Sequence, residues 1–78
     1  MVGETEFHRR FGAALRKRRL DAGLSQEGLA HSAEISPRYL SDLERGRKSP
    51  SIRVVKRLAD ALAIRAHLLI REAEDPDG

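Results

Sequence analysis

The feature that most constrains this chain is its punctuation by helix caps. Ser25, Ser36 and Ser51 each stand just before an apolar-periodic stretch, where a serine oxygen accepts from the free amides of a first helical turn. Gly23 and Gly46 stand where the preceding helices must stop, at positions suited to a left-handed C-cap. Pro37 follows Ser36 at a first helical position, where a missing N–H costs nothing. These marks cut the chain into short helices joined by tight connections.

The apolar spacing fills in the segments. A first helix is predicted from about Glu4 to Asp21, with Phe7, Phe11, Ala14, Leu15 and Ala22 recurring at three- and four-residue intervals. A second runs from Gln26 to about Ser32 with Leu29 and Ala30 inward, and a third from Pro37 to about Arg45 with Leu40 and Leu43 as its buried pair. Arg38, Tyr39, Ser41 and Asp42 must then project away from the core. After the basic turn Gly46-Arg47-Lys48-Ser49-Pro50, a fourth helix has Ile52, Val55, Leu58, Ala59 and Leu62 as its inner stripe and Arg53, Lys56, Arg57 and Asp60 outside. The fifth segment, about Ala66 to Ala73, carries Leu68, Leu69 and Ile70 in a row. Three neighbouring apolar residues cover more than one face, so Leu68 or Leu69 is expected to reach a second subunit.

Composition agrees with an all-α domain. The 78 residues are 40% apolar and 35% charged, with Phe7, Phe11 and Tyr39 the only aromatics, which suits an aliphatic helical core better than a β-sandwich. A single core of this size is only marginally stable. The absence of cysteine excludes disulfides and thiolate metal sites. No apolar run approaches the roughly 18 residues of a membrane helix, and Met1-Val2-Gly3-Glu4 does not read as a secretory signal. A cytoplasmic protein with no membrane partner is expected. His8, His31 and His67 are isolated and predict no metal site, and no phosphate loop or nucleophile–base arrangement predicts a cofactor or catalysis.

Charge is informative once divided along the chain. Residues 1–57 hold 13 Lys and Arg against seven Asp and Glu, a net of +6, whereas residues 58–78 carry a net of −3. The expectation is one domain over residues 1–71 and an acidic, flexible tail over residues 72–78.

Two short helices joined through Ala33-Glu34-Ile35-Ser36 make a helix-turn-helix. In such a unit the N-terminus of the first helix meets a phosphate with its amides and dipole, and the second lies in the major groove. Gln26 stands at the first place. Arg38, at the second position of the third helix, can meet guanine O6 and N7 with two parallel hydrogen bonds.

The residues that carry this unit also resemble a known family. Leu24-Ser25-Gln26-Glu27-x-Leu29-Ala30, Ile35-Ser36-x-x-x-Leu40-Ser41-x-Leu43-Glu44-Arg45-Gly46, Pro50-Ser51 and Leu58-Ala59-x-Ala61-Leu62 resemble the Xre/Cro-like helix-turn-helix regulators. The likeness runs from about Phe11 to Ile70. Among such regulators, a chain without a second domain is most similar to the controller proteins of restriction–modification systems. The resemblance implies a five-helix, lambda-repressor-like domain that binds a palindromic operator in double-stranded DNA as a homodimer built on its last helices. It implies that Pro37, Arg38, Tyr39, Ser41 and Asp42 face the groove, that Gln26 and Ser36 meet phosphates, and that Arg45, Arg47 and Lys48 flank the backbone. It further implies a structural bridge between Arg19 and Glu44.

Several positions carry more than one reading. Gly28 replaces a helix-forming residue, at about 1 kcal/mol of propensity, unless another chain or DNA packs closely there. Pro37 has no N–H for a phosphate, and its ring touches only sugar or a thymine methyl. In Arg16-Lys17-Arg18-Arg19 successive residues turn by about 100°, so most of the run is solvated and Arg18 is the phosphate candidate. Asp42 is costly beside DNA unless it accepts from cytosine N4 or positions Arg38; otherwise it is a helix-surface residue. Tyr39 either contacts DNA or caps the core edge. Regulation follows by steric exclusion of RNA polymerase or by contact with it. Two rival readings are a protein-interaction module, such as an antitoxin or adaptor on the same fold, and the DNA-binding part of a longer regulator.

Overall fold

The computed structural model describes residues 4–74, and these form five α-helices with no strand among them. The helices are α1 (Glu4–Asp21), α2 (Gln26–Ala33), α3 (Pro37–Glu44), α4 (Ile52–Ala61) and α5 (Ala66–Glu74). The three serine caps form as local chemistry requires. Ser25 Oγ accepts from Gly28 N–H at 2.9 Å, Ser36 Oγ from Tyr39 N–H at 3.0 Å, and Ser51 Oγ from Val54 N–H at 3.1 Å.

The helix ends share one device. After α1, α2, α3 and α4 a left-handed residue, Gly23, Glu34, Gly46 and Ala63 respectively, reverses the chain. The following amide then reaches back to a carbonyl inside the helix: Leu24 to Arg19, Ile35 to Ala30, Arg47 to Asp42, and Ile64 to Ala59, all at 2.9–3.1 Å. This closure satisfies the last carbonyls of each helix. Only two of the four positions carry glycine.

Phe11, Leu15, Leu29, Leu40, Leu43, Leu58 and Leu69 are completely withdrawn from water and fill the centre. α1 packs on α3 and α5, α2 on α3 and α4, and α4 on α5. The crossing of α1 over the end of α3 depends on Gly12, where a Cβ would lie 2.3 Å from the Leu43 carbonyl oxygen and 2.6 Å from that of Glu44.

Four expectations are corrected. Ala22 lies beyond α1 and is exposed, because the helix closes at Asp21 before the stripe comes round again. Ile52 is 90% exposed: the first turn of α4 overhangs the layer that buries Val55, Leu58 and Ala59. Leu69 is fully buried in the chain's own core and has no surface to offer a partner, whereas Leu68 is half-buried. The acidic tail does not begin at residue 72, since α5 continues to Glu74. Ala73, four residues beyond Leu69 and so on the same helix face, is wholly buried, and Glu72 pairs with Arg18 of α1. The remainder of the expected tail, 75–78, lies outside the described residues. No described helix is long and apolar enough to cross a membrane.

Candidate nucleic-acid interface

The turn between α2 and α3 spans only Glu34 to Ser36, so the two helices form a helix-turn-helix. Leu40 and Leu43 fasten α3 to the core. That anchoring dictates which side chains face out. Ser36, Pro37, Arg38, Arg45, Arg47 and Lys48 are exposed, while Tyr39, Ser41 and Asp42 are half-buried. Tyr39 packs against the core, so of the four α3 side chains expected to project outward only Arg38 is fully exposed. Arg38, Arg45, Arg47 and Lys48 give this region four exposed cationic side chains beside the half-buried Asp42 carboxylate.

Pro37 occupies the first turn without a backbone donor, and Arg38 follows it with an exposed guanidinium. Arg47 N–H donates to the Asp42 carbonyl at 2.9 Å, so the basic turn folds back on the helix. Its Lys48 ammonium lies 3.8 Å from Asp42 Oδ2 and 5.8 Å from the centre of the Tyr39 ring. Asp42 thus engages Lys48, a partner that sequence reasoning did not consider.

The surface is held in register from behind. Arg19 Nε donates to Glu44 Oε2 at 2.7 Å, and its terminal nitrogens donate to Glu44 Oε1 at 3.0 Å and to the Leu24 carbonyl at 2.9 Å. Both side chains are nearly free of solvent, 9% and 2% exposed. Donation of hydrogen bonds to the Glu44 carboxylate raises the proton affinity of the Arg19 guanidinium above its ordinary value, against the opposing effect of burial. Gln26 Nε2 donates to the same Glu44 Oε1 at 3.1 Å. One amide proton of Gln26 thereby fixes the side chain at the start of α2, and the second is geometrically free for an outside acceptor.

Arg18 is paired within the chain. Its Nε donates to Glu72 Oε1 at 2.7 Å, and a second guanidinium nitrogen donates to the same oxygen. That hydrogen bond raises its proton affinity. The structure thus pairs Arg18 with α5, a partner that the reading as a phosphate contact did not include. Glu72 carried no local signal of this role, because the pair is 54 residues apart in sequence. Gly28 is approached within 4 Å only by Ser25 Oγ, at 3.2 Å from a built Cβ. A methyl there would crowd the oxygen that caps α2.

A second surface was also missed. Between α4 and α5 lies an open hollow of about 530 Å³, lined by Ile52, Val55, Ile64 and Ile70 and also by the charged Lys56, Asp60 and Arg65.

Comparison with known proteins places these features in context. A family model described as "Helix-turn-helix domain" matches residues 10–69. The chain is 43% identical over 60 residues to the HTH-type transcriptional regulator DdrOP3 of Deinococcus deserti, covering 77% of this chain and 46% of that protein. It thus spans less than half the length of that relative. Among solved structures, the clp gene regulator ClgR from C. glutamicum superposes with a TM-score of 0.83 at 38% identity, covering 87% of each chain. The restriction-modification controller protein C.AhdI from Aeromonas hydrophila superposes with a TM-score of 0.77, also at 38% identity, over 78% of this chain and 92% of that one.

Proposed function

The chain belongs to the helix-turn-helix domain family, and on that premise we propose that it regulates transcription by reading a palindromic operator as a homodimer. The observation that carries this reading is the connection from Gln26 through Glu44 to Arg19. It ties the start of α2 to the end of α3 and to α1. A phosphate bound at Gln26 therefore fixes the register at which Arg38 meets base edges. Arg38 reads guanine, with Tyr39, Ser41 and Pro37 beside it. Ser36, Arg45, Arg47 and Lys48 meet the backbone.

The second subunit docks on the face between α4 and α5. Ile52, 90% exposed at the edge of an apolar hollow, is suited to a two-fold contact in which each copy's isoleucine enters the other's hollow. Leu68, half-buried on α5, is the further residue proposed to meet the second subunit. The likeness to the Aeromonas controller supports a finer reading as the controller of a restriction–modification system. Occupancy across a promoter represses by excluding RNA polymerase, and occupancy beside it activates by contact.

Selection from a random duplex pool at near-physiological salt tests the proposal. Enrichment of inverted half-sites about 10–11 bp apart, centre to centre, is the expected result. Capture of any duplex alike, lost as salt rises, would overturn it in favour of a protein-interaction module.

A further inference from the structure

Asp42 holds the basic turn twice, through its carbonyl to Arg47 N–H and through its carboxylate to Lys48. The Asp42 side chain keeps 20% of its exposure and Lys48 57%, so the pair lies at the rim of the surface assigned to DNA. An anion there occupies the position that a DNA phosphate would take towards Lys48. Beside a polyanion such a carboxylate opposes binding, unless it is given something in return.

We propose that Asp42 is a specificity-determining residue that competes with DNA phosphate for Lys48 and releases it only where a base supplies an amino donor. The inference rests on DNA being the partner and adds how the wrong sequence is rejected. On a duplex of arbitrary sequence the attraction comes from phosphates. Moving Lys48 to one of them strips Asp42 of its counter-charge, so the lysine stays where it is and contributes little. On a site that presents cytosine N4 or adenine N6 to Asp42, the carboxylate exchanges the ammonium for that donor. Lys48 then joins the backbone without leaving an unpaired acid. The Tyr39 ring face offers the lysine a second foothold, so it can leave the carboxylate without leaving the surface. Discrimination arises as a penalty on the wrong site as well as a reward on the right one.

Affinity is measured across a salt series for wild type, Asp42→Asn, Lys48→Ala and the double variant, on a selected operator and on a random duplex of equal length. Asp21→Asn is the charge-matched control, because Asp21, at the C-terminal end of α1, pairs with Lys17 at 3.1 Å, is 63% exposed and, among the described residues, touches neither Lys48 nor the rest of the basic turn after α3 in any ion pair. In the wild-type background, Lys48→Ala is expected to flatten the salt slope by about 0.9 on the operator and to leave it unchanged on the random duplex. Asp42→Asn should tighten random-duplex binding about 5- to 10-fold, well beyond Asp21→Asn, and make that binding sensitive to Lys48→Ala. An equal effect of Lys48→Ala on both duplexes, or equal gains from Asp42→Asn and Asp21→Asn, would overturn the competition while leaving operator binding intact. A wild-type protein that shows no sequence preference would overturn the functional reading itself.

Discussion

Glu44 at the end of α3 receives Arg19 of α1 through two parallel hydrogen bonds, at 2.7 and 3.0 Å, in a site almost closed to water. Charged groups in such a site are expensive to desolvate, and their pairing offsets a cost that appears in full when one partner is removed. Arg19→Met is therefore expected to lower stability by about 3–5 kcal/mol in urea unfolding. Arg19→Met combined with Glu44→Leu should recover most of that loss, since both charges leave together. The double variant should still bind DNA weakly, because Gln26 has lost its anchor. The Arg19 proton affinity is raised in the fold, so its contribution is complete below the ordinary arginine range and is lost only as pH rises past that range and through the higher folded value. A double variant as unstable as the single one would show that the pair is not the reason Arg19 matters.

Arg38 and Gln26 separate reading from anchoring. Arg38→Ala should cost about 1–3 kcal/mol on the operator and relax preference at one base of each half-site. Gln26→Ala should weaken operator and random duplex by similar factors, because a phosphate carries no sequence. Competition binding with single-base operator variants decides both. Equal loss on all sequences for Arg38→Ala, or a changed base preference for Gln26→Ala, would reverse the assignments.

What the sequence made legible was local. Ser25, Ser36 and Ser51 act on amides three residues away, so their roles are written in short strings, and the helix-turn-helix follows from them. The surface around α3 was legible in part for the same reason: once Leu40 and Leu43 point inward, the 3.6-residue period leaves Arg38 exposed, whereas Ser41 and Asp42 are half-buried. The misreadings involve partners distant in the chain. Arg18 gave no sign of Glu72, and the Leu68-Leu69-Ile70 run does not say which residue meets α1. Ile52 fits the α4 stripe by spacing, yet spacing does not reveal where the neighbouring layer stops. The Arg19–Glu44 bridge came from resemblance, since no local pattern joins residues 25 apart.

The glycines and the left-handed caps predict opposite responses to one methyl group. Gly12→Ala places a Cβ against two backbone oxygens at 2.3 and 2.6 Å. Backbone cannot yield as a side chain does, so α1 must move off α3 at a cost of about 3 kcal/mol or more. Ala63, at φ 57°, already holds its methyl in the strained left-handed region. Ala63→Gly is expected to stabilise by about 0.5–1 kcal/mol, the relieved strain exceeding the glycine's extra unfolded entropy. Thermal melts of the two variants should move in opposite directions, and a neutral Gly12→Ala would contradict the close crossing of α1 and α3.

Ile52 gives the sharpest test of assembly, because the residue is 90% exposed in the single chain and its replacement leaves that chain's core untouched. Ile52→Asp should leave monomer unfolding within about 0.5 kcal/mol of wild type. In a two-fold contact the substitution brings a carboxylate into each of two apolar hollows, so one change acts twice. Sedimentation velocity at micromolar concentration should show a wild-type dimer and a variant monomer. On DNA the variant should keep its preference for a single half-site and lose the added affinity of the inverted pair, since two linked reading heads bind as one only when the link holds. A wild-type chain that stays monomeric at every concentration, or an Ile52→Asp variant that dimerises as well as wild type, would remove this face from the assembly. It would leave the reading surface of α3 as it stands, because Arg38 and Gln26 are fixed within one chain.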